Sequence, residues 1–162
     1  MREVVLDTET TGLDHEHGHR IVEIGAIELE NHVPTGNQLH YYLNPERLSD
    51  LKAEQIHGLT HEFLINQPKF IDIVDDFINF IDNSKLIIHN ASFDIGFINA
   101  ELKRCNMTQL DDNVVIDTLG LAKKKFLSQS VSLDSLCKRY NIDIKVIICD
   151  IIYRKRDSLN SN

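Results

Sequence analysis

Val4-Val5-Leu6-Asp7-Thr8-Glu9-Thr10-Thr11-Gly12 is the stretch on which the reading of this chain turns. Residues 2–7 read as a buried strand, stopped by Thr-Thr-Gly. Side chains two apart on a strand share a face, so Asp7 and Glu9 point the same way. Two anions side by side repel and raise each other's pKa unless a cation lies between them. Mg²⁺ or Mn²⁺ suits such hard oxygen ligands and keeps water or substrate phosphate in its remaining positions. Taken alone, Asp-x-Glu describes an exposed strand-end pair equally well. A second carboxylate centre stands in His89-Asn90-Ala91-Ser92-Phe93-Asp94. There Asp94 falls in the first turn of a helix, where the N-terminal dipole favours an anion. A simple helix-start aspartate meets that description too, but strand ends of one sheet can converge and bring Asp94 opposite Asp7.

Outward from these two centres the periodicity sets the architecture. Arg20 to Glu30 alternates apolar and polar residues, the period of a half-buried strand. Leu39 to Leu43 reads as a third strand, reached through a turn at Pro34-Thr35-Gly36. Such short connections suit hairpins, so the first three strands are expected to be antiparallel. From Pro68 the spacing changes: Phe70, Ile73, Val74, Phe77, Ile78 and Ile81 trace one helix face. Lys85 to Ile88 is a short strand, Ser92 begins a helix through Leu102, and Val114 to Ile116 is a further strand. Helices follow through Leu119–Phe126 and Ser132–Tyr140, the second with a capping serine. The order implies an α/β fold, a mixed sheet of three antiparallel strands and then parallel ones, flanked by helices.

Composition bounds the rest. The chain has 162 residues, 42% hydrophobic, and a net charge of -8. That is one domain of an ordinary globular protein. An acidic chain does not grip duplex DNA by phosphate neutralisation alone, although carboxylate-bound cations reverse the local field. Lys123-Lys124-Lys125 reads as a solvated helix end. His15, His17 and His19 alternate in a polar segment without a fourth ligand and read as a solvated loop. Cys105, Cys137 and Cys149 show no metal-ligand spacing. No apolar run approaches the ~20 residues of a membrane span, and the N-terminus enters a strand without a signal-peptide pattern. A cytoplasmic location and no membrane partner are expected.

Together, Val5–Gly12, Ile21-Val-Glu-Ile-Gly-Ala26, Ile56-His-Gly-Leu-Thr60 and His89–Phe97 resemble the DEDD exonuclease superfamily. Within it they look like the proofreading (epsilon) subunits of bacterial DNA polymerase III. Tyr42-Leu-Asn-Pro45 and Ser132–Tyr140 extend the resemblance over roughly residues 2 to 143. It implies an RNase H-like fold and 3′→5′ hydrolysis of a terminal nucleotide, with an exoribonuclease as the related alternative. It implies two divalent cations, Mg²⁺ or Mn²⁺, on Asp7, Glu9 and Asp94. Thr10 and Thr11, through their backbone amides, and His57 are implied to contact the terminal nucleotide. Lys52 stands near where such proteins carry an acidic substrate contact. Asp117 is expected near the site in a supporting role. The implied partners are a single-stranded DNA 3′ end and the polymerase (alpha) and theta subunits of DNA polymerase III.

One stretch departs from the pattern. After Ser-Leu-Asp-x-Leu-Cys the family continues with a histidine, the general base, and five residues later an aspartate, the fourth ligand. Here all eight histidines lie at or before His89. Counting on from Asp143, the histidine position holds Asp150 and the aspartate position Lys155, with Asp157 two residues late. Residues 1–143 therefore read as an exonuclease domain, and 144–162 as an aberrant tail replacing the last motif and its helix. The abrupt change suggests a shifted reading frame or a decayed gene. The extension that binds alpha is expected to be absent, and activity impaired, or reduced to a non-catalytic binding module.

Overall fold

The computed structural model describes residues 1–142. Residues 144–162, expected above to form an aberrant tail, with Asp150, Lys155 and Asp157, lie outside the described residues. Five strands form one sheet in the order β3-β2-β1-β4-β5. β1 (Arg2–Thr10), β2 (Ile21–Glu30) and β3 (Val33–Tyr42) make an antiparallel meander. β4 (Lys85–Ile88) then joins β1 in parallel, and β5 (Val115–Asp117) joins β4 in parallel. The mixed sheet is the expected one.

Two boundaries differ. β1 does not stop at Asp7 but runs to Thr10, so Glu9 is still a strand residue, opposite Glu23. The turn into β3 lies at Asn31-His32, not at Pro34–Gly36. Both turn residues have positive φ, 50° and 66°, the backbone of a two-residue hairpin whose twist matches the strands. Glu30 pairs directly with Val33, and Pro34 is accommodated on an edge strand beside a register shift.

Alternation divides the sheet's duties. Val4, Leu6, Ile24, Ala26, Leu86 and Ile88 belong to the main core. α3 (Phe70–Ile81) lays Phe70, Ile73, Val74, Phe77 and Ile81 into it, and α4 (Ala91–Arg104) adds Ile95, Ile98 and Leu102. The opposite face carries Asp7, Glu9 and Glu23. α5 (Thr118–Lys125) and α6 (Leu133–Arg139) close the described chain. Ser132 caps α6 by accepting from Ser135 N–H, as its sequence suggests. Two short helices had no strong periodic signal: α1 (Leu51–His57) and α2 (His61–Leu64). Leu59, between them, and Leu64 of α2 pack on Val22 as a second, smaller core. No helix of the described residues is long and apolar enough to cross a membrane.

Candidate active site

β1 outruns its parallel neighbour. Pairing with β4 ends at Val5 opposite Ile87, while β1 continues to Thr10. Among the described residues the β4-side edge of β1 therefore has no strand partner beyond Val5. Asp94, in the first turn of α4, takes its place. Its Oδ1 accepts from Thr8 N–H at 3.1 Å and from the Thr8 hydroxyl at 2.7 Å. Asp94 is only 3% exposed, so these bonds hold a buried anion at the strand that carries Asp7 and Glu9.

The electrostatics follow from the burial. Desolvation pushes the Asp7 carboxyl up to about 6, the Thr8 amide opposing in part and the charge of Glu23 adding to the rise. Desolvation pushes Asp94 further, to about 7, against its bonds from Thr8 and with the charge of Asp7 adding. Neither forms an ion pair among the described residues. Two desolvated carboxylates, each raised further by a neighbouring anion (Glu23 for Asp7, Asp7 for Asp94), call for a cation, and their hard oxygens suit Mg²⁺ or Mn²⁺. No three His, Cys, Asp or Glu side chains of the described residues are gathered as a ready-made cage. Mg²⁺ does not need one, since one or two carboxylates with waters and substrate phosphates usually hold it. The donor set fits such an ion.

Beside these carboxylates opens a cavity of about 360 Å³. One wall is the end of β1 and its turn, with Glu9, Thr10, Gly12 and Leu13. The other is α1, with Asp50, Lys52, Ile56 and His57, and Phe93 closes the side toward α4. Leu13 and Ile56, 81% and 68% exposed, give this cavity an apolar rim. His57 ends α1, is 2% exposed, and accepts from Leu59 N–H through Nδ1 at 3.0 Å. The residue thus caps the turn after α1 and lines the cavity wall.

Not every expected residue reaches the cavity. Thr11 is fully buried, its N–H donates to Arg20 carbonyl at 2.9 Å, and its hydroxyl bonds His19 Nδ1 and Arg20 N–H. Only Thr10 of the pair lines the opening. Asp117 sits at the start of α5, where Oδ1 accepts from Leu119, Asn90 and Ala91 N–H. It clamps the start of α4 to the start of α5, a supporting position.

The solvated-loop reading of the three histidines holds for His17, which is exposed and pairs with Asp14, and fails for the others. His19 is bonded to Thr11, lies 3.6 Å from Asp50, and rests its ring against Gly12, where any Cβ would collide with it. His15 packs edge-on to Phe97 and occupies the space a Cβ on Gly96 would need. The missing side chains at Gly12 and Gly96 make room for both rings. Behind this loop Arg20 forms a two-bond fork with Glu101, which is 1% exposed, at 2.6 and 2.9 Å.

Sequence reasoning missed Thr8, Leu13 and Ile56. Thr8 had a signal: a polar residue on the inward face of a strand that needs an acceptor.

Comparison with known proteins supplies the context. The family model described as Exonuclease matches residues 4–146. DNA polymerase III subunit epsilon of Rickettsia felis is 53% identical over 146 residues, 88% of this chain and 64% of that protein. Its counterpart from Escherichia coli K12 is 45% identical over 149 residues, 88% and 61%. The chain thus spans less than two thirds of these relatives' length. Among solved structures, product-bound exonuclease I superposes with a TM-score of 0.78 at 17% identity, covering 92% of this chain and 40% of that one. Exonuclease X in complex with 5′-overhanging duplex DNA gives 0.63 at 24%, covering 86% and 74%. At those identities the likeness is one of fold.

Proposed function

This chain belongs to that exonuclease family, and on that footing we propose that it is a 3′→5′ exodeoxyribonuclease of the proofreading type. The observation that carries the reading is buried Asp94, held by Thr8 next to Asp7, where Thr8 and Glu9 line a cavity of one nucleotide's scale. Its substrate is the 3′ end of single-stranded DNA, and it works in the cytoplasm with the alpha and theta subunits of DNA polymerase III. Support for these partners comes from the relatives named above.

In this reading Asp7, Glu9 and Asp94 would hold two divalent cations, Mg²⁺ or Mn²⁺. The chemistry such cations supply is activation of the attacking water and stabilisation of the leaving 3′ oxygen. The chain's own part is positioning. Thr8 fixes Asp94, Leu13, Ile56 and Phe93 offer apolar surface to the terminal base, and His57 forms part of the α1 wall of the cavity. Thr10, not Thr11, contributes polar contact at the rim. No histidine follows His89, so a general base in the last motif is missing from this chain. Such a loss costs about 10²–10⁴-fold, and hydrolysis by these 162 residues is slow.

The test is release of mononucleotides from 5′-labelled single-stranded DNA and RNA with Mg²⁺ or Mn²⁺. Slow, metal-dependent shortening of DNA from the 3′ end, abolished by Asp7→Asn or Asp94→Asn, is expected. Preferential cleavage of RNA would move the chain to the exoribonucleases. The absent histidine favours one second reading, a module that binds the nucleotide end without turnover. Nucleotide and cation binding with no product after prolonged incubation would select it.

A further inference from the structure

Lys123, Lys124 and Lys125 fill the last turn of α5, where cations suit the helix dipole. The surroundings of the triplet go beyond that role. Lys125 Nζ donates to the Tyr140 hydroxyl at 3.0 Å and lies 5.4 and 5.6 Å from the ring centres of Phe126 and Tyr140. The Arg139 guanidinium stands 4.1 Å over Phe126. Lys138 joins them in the last turn of α6. From Thr118 to Ile142 the chain carries these five cations and one carboxylate, Asp134, in a molecule of net charge -8. None of the five pairs with a carboxylate among the described residues.

The cluster is tied to the site by its own helix. α5 starts at the Asp117 clamp on Asn90 and Ala91, which open the helix of Asp94. Its eight residues at 1.5 Å each carry the chain about 12 Å from that junction. A strand covers that distance in roughly four nucleotides at 3.4 Å each.

We propose that the α5–α6 knot of cations and aromatic rings binds single-stranded nucleic acid upstream of the 3′ end. Lys123 and Lys124 neutralise phosphates, while Tyr140 and the guanidinium of Arg139 offer stacking surfaces to bases. An acidic protein would use the charges and leave the ring–guanidinium stack without a purpose. The assignment of the strand's direction rests on the nuclease reading, whereas binding at the knot requires no turnover.

The experiment uses the whole chain in EDTA and the fluorescence anisotropy of a labelled oligothymidylate of about 16 nucleotides, the upper end of single-module sites. Lys123→Glu with Lys124→Glu is expected to weaken binding about tenfold or more. The logarithmic salt slope should become shallower by about 1.4, two single-strand contacts at 0.7 each. Tyr140→Ala should weaken binding roughly 5- to 150-fold. Thermal midpoint and affinity for thymidine 5′-monophosphate should stay unchanged in the lysine variant. Oligonucleotide affinities of both variants within twofold of the parent would overturn the proposal, as would displacement of the oligonucleotide by polyglutamate at equal charge concentration. Loss of binding in the variants together with no mononucleotide binding by the parent would uphold the knot and count against the nuclease reading. Mononucleotide binding, and 3′ release once Mn²⁺ replaces EDTA, together with unaltered oligonucleotide binding by the variants, would do the reverse.

Discussion

Thr8 gives both its backbone N–H and its hydroxyl to one oxygen of Asp94, at 3.1 and 2.7 Å. A threonine between two candidate ligands on β1 thereby holds a third on α4, eighty-six residues away in sequence. Thr8→Val keeps the shape and the N–H but removes the hydroxyl bond to a carboxylate. Such bonds contribute about 1.5–3 kcal/mol. The expected result is a lower thermal midpoint and weaker Mn²⁺ binding by calorimetry, with Thr8→Ser restoring most of both.

Asp94→Asn separates stability from function. The amide keeps an oxygen for Thr8 and removes a charge that burial and Asp7 both disfavour. The metal-free variant should melt higher than the parent at pH 8 and bind Mn²⁺ at least tenfold more weakly. A lower melting point at that pH would show that the carboxylate is not under strain.

The two raised carboxyls fix the sign of a pH effect. Asp7 and Asp94 move from 3.8 to about 6 and about 7 on folding, so the folded chain holds more protons than the unfolded one. Their contribution is fully present below pH 4 and is lost as pH rises to about 6 for Asp7 and about 7 for Asp94. At about 1.4 kcal/mol per unit, Asp7 alone accounts for roughly 3 kcal/mol. Thermal melts in EDTA from pH 4 to 8 should show a falling midpoint, flattened in the double Asn variant. Cation affinity should rise over the same window as the protons leave.

Gly12→Ala tests the contact with His19. The new methyl collides with the ring, which must turn away from Thr11 and Asp50. Overpacking of this kind costs about 1–3 kcal/mol. A lower thermal midpoint and weaker thymidine 5′-monophosphate binding are expected, while Gly36→Ala, with open space around it but strained at φ 93°, should lower the midpoint and leave nucleotide binding alone.

Breaking the Arg20–Glu101 fork should hurt most. Removing one partner of a buried pair costs about 3–5 kcal/mol, and Glu101 is almost wholly buried. Glu101→Ala is expected to lower the melting temperature by about 10 °C. A double variant, Arg20→Met with Glu101→Leu, should recover much of the loss.

How far the chain could be read in advance depended on the kind of signal. α3 was legible from Phe70, Ile73, Val74 and Phe77, because an amphipathic helix repeats its evidence every turn. β1 and α4 were legible because Asp7, Glu9 and Asp94 interrupt otherwise apolar elements. The hairpin turn was misplaced because Pro34 and Gly36 are strong turn formers, yet Asn31 and His32 carry the positive φ angles. α1 went unseen: Leu51 and Ile56 are exposed, so the apolar residues mark no buried stripe. The packing of His15 and His19 could not be inferred at all. It depends on two glycines, one of them eighty-one positions distant from its histidine, and nothing local in the loop announces the space they leave.

Those two ring-on-glycine contacts also bear on kinetics. His19 against Gly12 and His15 against Gly96 pin the loop on either side of Leu13. A hoop anchored at both feet has little conformational freedom left to surrender when a nucleotide arrives. Encounter at this rim should therefore resemble docking onto a rigid template, with a small entropic penalty and a fast on-rate.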